Sequence, residues 1–224
     1  MRCFPLPFAV LTLVLSSCGS TDLQPPDVIA KHGIGPGTSP TEAKAAASGF
    51  EATDGERGSV DCGEQSVGPP TCIIHGGPSA GIYKVEIDYE GGRAYKYYIQ
   101  YDGDTSERLS WDEWLQQGQS KWGEPREVFK PTSPPEGDGF YDAWQATLAR
   151  HLSSEWVVLP ATEQRCAVWG KDDVKGALMC LSKQCLSFMG RDPTCRTEMQ
   201  VQFIDQTSRE KPAPLLPPKV NTGL

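Results

Sequence analysis

The side chains best able to do chemistry in this 224-residue chain are eight cysteines, three histidines and one serine in a glycine-rich loop. A cysteine can act as a thiolate nucleophile, a metal ligand or half of a disulfide. No two cysteines are spaced C-x-x-C, so the chain carries no thioredoxin-type redox motif. Cys180-x4-Cys185-x9-Cys195, with His151 as a fourth donor, is the nearest approach to a zinc site, but its spacing fits no common ribbon or finger. Asp102, Asp104 and Glu107 form an acidic run without the spacing of a calcium loop, and they read as a solvated turn. Acyl transfer would need an activated serine, and Ser79 with His75 as base is the candidate pair.

These two residues lie in Ile73 to Gly81, "IIHGGPSAG". His75-Gly76-Gly77 is similar to the oxyanion loop of α/β-hydrolases, and Gly77-x-Ser79-x-Gly81 resembles their nucleophile elbow. In that family the serine turns from a strand into a helix, and the oxyanion loop comes from a separate connection. Here the two patterns overlap, the serine leads directly into a strand, and the chain is short for the family's eight-stranded sheet. The stretch therefore reads as a Gly/Pro loop entering a hairpin.

The N-terminus has a different chemistry. Met1-Arg2 is followed by twelve residues, Phe4 to Leu15, that are mostly apolar. A helix needs about 20 residues to cross a bilayer. A charged start, a short apolar core and small exit residues read instead as a secretory signal. The run closes on Leu15-Ser16-Ser17-Cys18, which resembles the lipobox of bacterial lipoproteins. That resemblance implies a signal peptide over 1–17 and an acylated Cys18 as the first mature residue. Three acyl chains would anchor the protein stably, since two already suffice. Gly19 and Ser20 stand where an aspartate would retain a lipoprotein at the inner membrane. The resemblance thus favours the periplasmic face of the outer membrane.

An exported chain meets oxidising conditions, so Cys62, Cys72, Cys166, Cys180, Cys185 and Cys195 should form disulfides, with 15 connectivities open. A hairpin symmetric about Asp173 would set Cys166 opposite Cys180. Cys62–Cys72 and Cys185–Cys195 complete the favoured set, each enclosing nine residues. The net charge of −8 becomes one unit more negative once Arg2 leaves with the signal. Such a balance gives no electrostatic reason to bind nucleic acid, whose affinity rests on cationic phosphate contacts. It does not suit anionic lipid heads either, so the acyl groups must anchor the chain to the membrane. The remaining partner is an envelope protein or a cell-wall component, and no cofactor motif is present.

Around these residues the chain divides into four parts. Residues 18–60, with "GIGPGTSPTEAKAAASG", read as a flexible tether with an r.m.s. reach of roughly 35 Å. Residues 61–207 form the domain, and 208–224, with four prolines between 212 and 218, form an extended tail. Within the domain, Tyr83, Val85, Ile87 and Tyr89 alternate with polar residues, as do Tyr95, Tyr97, Ile99 and Tyr101. A three-residue loop, Glu90 to Gly92, would pair Ile87 with Tyr95 and unite the two apolar sets on one face.

Ser110 and Glu113 form a capping box for a helix whose stripe is Trp111, Trp114, Leu115, Gly118 and Trp122. Gly118 in that stripe implies close approach to a strand. Phe140, Trp144, Leu148 and Leu152 mark a second helix. "EWVVL", "RCAVWG", "KGALMCL" and "CRTEMQVQFID" read as strands, the last with Cys195, Thr197, Met199, Val201 and Phe203 inward. The tryptophans fit core stripes better than a sugar-binding platform.

The expected fold is α+β, an antiparallel sheet with two amphipathic helices and disulfide bonds. The expected function is that of a non-enzymatic, lipid-anchored envelope protein. A periplasmic inhibitor or immunity protein against a wall-degrading enzyme is the alternative, by analogy of class. A serine hydrolase using Ser79 and His75 is the second alternative.

Overall fold

Period-2 alternation produces most of the architecture. The computed structural model describes residues 23–48, 50, 59–63, 69–76, 81–133, 138–171, 174–186 and 194–208. Among them are strands β1 (Val60–Gly63), β2 (Thr71–His75), β3 (Ile82–Glu90), β4 (Arg93–Tyr101), β5 (Glu127–Phe129), β6 (Glu163–Lys171), β7 (Lys175–Leu186) and β8 (Thr194–Asp205). The helices are α1 (Asp27–Ala30), α2 (Pro40–Ala47), α3 (Gly103–Arg108), α4 (Trp111–Trp122) and α5 (Phe140–Leu148). The strands form one antiparallel sheet in the order β1-β2-β3-β4-β8-β7-β6-β5. Two four-stranded meanders thus join along β4 and β8, giving the expected α+β fold. The described residues do hold eight strands, contrary to the length argument above, but they run antiparallel throughout.

All three favoured disulfides are present, and each joins residues directly opposite in neighbouring strands. Cys62–Cys72 ties β1 to β2, Cys166–Cys180 ties β6 to β7, and Cys185–Cys195 ties β7 to β8. The symmetry about Asp173 is the β6–β7 register itself, running from Lys171↔Lys175 out to Glu163↔Lys183.

Both faces of the sheet carry apolar side chains, because residues beyond Met199 in β8 are buried in either direction. Met199, Val201 and Phe203 enter the larger core with Val85, Ile87, Tyr97, Ile99, Trp169 and Met179. Gln200, Gln202 and Ile204 point the other way, and Ile204 joins a second core with Val168, Leu178 and the Cys166–Cys180 bridge. Helix α4 covers the first face and α5 the second. Ser110 and Glu113 cap α4 reciprocally, as the sequence predicts. Cys195 and Thr197, expected inward, lie at the more exposed start of β8.

Gly118 is where α4 meets the sheet. A Cβ there would stand 2.6 Å from Trp169 Cη2 and 2.8 Å from Cζ2. Alanine would gain about 1 kcal/mol in helix propensity, but overpacking against an indole costs roughly 1–3 kcal/mol. Gly118→Ala should therefore lower stability by up to about 2 kcal/mol, seen as a lower urea midpoint with an unchanged slope. An increased midpoint would show that α4 shifts away freely.

Three expectations need correction. Residues 23–50 do not read as a tether once folded: Leu23, Ile29, Ile34, Ala43, Ala47 and Phe50 are all buried in the larger core. The large apolar groups of this segment are few, and most of them are buried. Helix α2 starts at a complete capping box, with Ser39 and Glu42 bonded reciprocally and Pro40 in the first turn.

The β3–β4 turn has two residues, Gly91 and Gly92, both at positive φ, closed by the pair Glu90↔Arg93. An irregularity after Tyr89↔Ala94 leaves Tyr95 as the extra residue, so Ile87 meets Tyr97 and Val85 meets Ile99. The apolar sets share a face as predicted, through a bulge rather than a longer loop. A second irregularity turns Tyr83, expected inward, out to solvent.

In "EWVVL", Glu155 lies in a turn and Trp156 to Leu159 alternate buried and exposed without joining any described strand. The Gln202 side chain takes the place of a ladder there. Its Oε1 accepts from Val157 N–H at 3.3 Å and its amide donates to Val157 O at 2.5 Å.

Candidate functional site: the open half of the second sheet face

The second face is covered only in part. Helix α5 and residues 152–158 shield β5, β6 and the adjoining parts of β7 and β8. Over β3 and β4 the same face shows Lys84, Glu86 and Asp88 beside Lys96, Tyr98 and Gln100, paired Lys84↔Gln100, Glu86↔Tyr98 and Asp88↔Lys96. These side chains are half-buried, except Gln100, which is buried. The edge of the covering segment adds Val157 and Leu159, 53% and 61% exposed, whose neighbours Trp156 and Val158 are buried. A shallow hollow of about 200 Å³ lies between the polar strands and this apolar edge. A smaller one continues it past Leu159 toward Arg196, Glu198 and Gln200.

The surface is held in shape by its own charges. Lys84 Nζ meets Glu86 Oε1 at 2.5 Å and lies 5.6 Å from the Tyr98 ring centre. Lys96 donates to the Glu155 carbonyl, fastening the covering segment to β4. Arg196 lies 5.9 Å from the centre of the Tyr83 ring, which places the outward-turned tyrosine beside the hollow. Burial raises the Tyr98 phenol above its ordinary range, with Glu198 and Glu86 adding to the effect. Gln200 Oε1 is buried without a hydrogen-bond partner among the described residues.

Burial also raises the Asp88 carboxyl, outweighing the Thr71 hydroxyl that donates to it at 2.8 Å and the attraction of Lys96. An acid whose folded pKa is raised binds more protons when folded. Stability from this group is therefore fully present below the unfolded pKa and is lost as pH rises from there through the folded one. Asp88→Asn keeps an acceptor for Thr71 and removes the buried charge. The variant should show a higher urea midpoint than the parent at pH 7 and an equal one at pH 3. An equal or lower midpoint at pH 7 would mean the charge is held favourably.

The other candidate residues are dispersed. His75 is exposed at the end of β2, opposite Lys84, while Ser79 and Cys18 lie outside the described residues. Cys180, Cys185 and Cys195 are spent in disulfides, so they cannot ligate zinc as thiolates. His151 Nδ1 lies 2.6 Å from Glu127 Oε1, and its ring stacks on Phe129 at 4.4 Å. Asp102 is the N-cap of α3, accepting from Thr105 N–H at 2.6 Å. All six tryptophans are buried, which puts them in the core rather than on a sugar platform.

Two larger hollows lie elsewhere. One, about 520 Å³, runs between α1 and α4 over Tyr101 and Trp114, and burial pushes the Tyr101 phenol up to about 12. The other, about 670 Å³, sits by Lys130, Arg165 and Lys183.

Sequence reasoning missed the open face because it assigned the polar members of each strand to solvent and stopped there. The signal available was four consecutive apolar residues, Trp156 to Leu159, of which only alternate members are buried, leaving Val157 and Leu159 facing out. No family model, no curated protein and no solved structure matches this chain.

Proposed function

We propose that the protein is a lipid-anchored envelope protein that works by binding, and that its partner is another envelope protein docking on the open sheet face. The observation that carries the reading is the exposed Val157–Leu159 edge beside the half-buried Tyr98, Lys84 and Glu86 and the exposed Arg196. Protein interfaces combine an apolar centre with tyrosine and arginine contacts and a polar rim. A rigid sheet pinned by three disulfides presents such a surface at little ordering cost on association. The lipobox-like Leu15-Ser16-Ser17-Cys18 supplies the location.

A photocrosslinking residue at Leu159, in cells that make the full chain, should trap one envelope protein as a discrete adduct. Leu159→Asp combined with Val157→Asp should lower affinity for that protein at least about tenfold, with melting unchanged, because both side chains are mostly exposed. Adducts formed equally from a residue at Tyr141, exposed on α5, would show that the face has no special role. Adducts to glycan strands in place of protein would transfer the reading to a cell-wall component.

A further inference from the structure

We propose that the protein's β6–β7 turn end faces the lipid surface at short range. The proposal rests on the lipid-anchor reading of Cys18. It follows from how few residues separate Cys18 from the buried Leu23. Leu23 is buried in the larger core and lies against Gly170 at the end of β6, its Cδ1 only 2.3 Å from where a Cβ on that glycine would stand. Gln24 O accepts from Trp122 Nε1 at 2.8 Å, and Asp27 pairs with Lys121 near the C-terminal end of α4. Trp122 in turn packs on Trp169, whose indole donates to Gly123 O. The chain is thus fastened to the domain from its twenty-third residue.

Five residue steps separate Leu23 from Cys18. Even fully extended they span no more than about 18 Å. A 40-residue tether would have lifted the domain clear of the bilayer, whereas this leash cannot. The point it reaches is one end of the sheet. Gly170 pairs with Gly176 beside the β6–β7 turn, where Val174 is exposed. The β3–β4 turn at Gly91-Gly92 and the close of β8 at Asp205 lie at the same end, by the registers Lys96↔Ile204 and Lys175↔Asp205.

Strand β7 runs 12 residues from this end to Leu186. At about 3.3 Å per residue it carries the Cys185–Cys195 bridge roughly 35 Å farther along. The open face therefore has a near end at Asp88 and Lys96, and a far end at Arg196, Gln184 and Ser182. A partner approaching from the aqueous compartment meets the far end first.

The test uses the full-length acylated protein in phosphatidylethanolamine/phosphatidylglycerol vesicles carrying an acceptor dye on the lipid head group. A donor dye is clicked to azidophenylalanine at Val174 or at Thr194, both exposed. Energy transfer from position 174 should exceed that from 194 by at least about twofold, given the length of β7. Inserting about 20 Gly/Ser residues between Asp22 and Leu23 should bring the two efficiencies together. Equal transfer from both sites in protein whose Cys18 is acylated by mass spectrometry would overturn the orientation alone. An unacylated Cys18 would overturn the anchor reading, and the orientation with it.

Discussion

Phe50→Ala should lower the stability of the folded protein by about 3–5 kcal/mol, the range for truncating a buried aromatic ring. For a chain of this size that corresponds to a fall in Tm of roughly 10 °C. The expectation follows from position. Phe50 is 2% exposed, its N–H donates to Ala47 O at the end of α2, and the edge of its ring meets His32 at 5.6 Å. Ile29 and Ile34, both fully buried, share that core, so the N-terminal segment acts as a structural layer over the sheet. Ser48→Ala, an exposed change just after α2, is the matched control and should move Tm little. Calorimetry of the two variants decides between layer and tether, because a tether residue would change nothing in either case.

Removing the Cys166–Cys180 bridge by a double Ala substitution should cost about 3 kcal/mol from loop closure, with further loss from the cavity. The bond closes a separation of 14 residues. Both cysteines are buried in the second core beside Leu178 and Ile204, so their sulfur volume is packed as well as bonded. The Cys62–Cys72 bridge differs, since Cys62 is exposed on the edge strand β1 and only Cys72 is buried. Its removal should cost less, leaving mainly the closure term for a separation of 10. Chemical denaturation of the two double variants should rank them in that order. The reverse order would mean that the edge of the sheet, and not its second core, limits unfolding.

Much of this fold was legible because its signals are local. Ser110 with Glu113 specified where α4 begins, and a glycine in the middle of an aromatic stripe specified where it touches the sheet. The Cys166–Cys180 pair followed from hairpin geometry, since residues equidistant from a turn stand opposite each other, whereas the other two pairs were favoured only because each closes a nine-residue loop. The failures have physical causes as well. In residues 23–50 the apolar residues are sparse, and low hydrophobicity was read as disorder. Ser39-Pro40-Thr41-Glu42 already carried a capping box with proline in the first turn, a helix signal as clear as that at Ser110. Bulges at Tyr95 and Tyr83 defeated the register arithmetic, because one extra residue shifts the count without changing the alternation on either side.

The candidate surface was the least legible part. Its polar residues come from β3, β4 and β8, and what makes them a site is the edge of a segment distant in sequence, Glu155 to Leu159. Only the fold shows that α5 and this segment stop short of β3. The N-terminal signature depends on no folding at all, being read as linear sequence, which is why Cys18 stood out first.

The proposed lipid anchor underlies both the proposed function and the proposed orientation, so the direct measurement is the mass of the mature N-terminal peptide from membrane-extracted protein. The account predicts a peptide beginning at Cys18, lacking Met1 to Ser17 and carrying a diacylglycerol thioether with an N-acyl chain. A peptide with an unmodified Cys18, or one that retains the residues before it, would contradict the account.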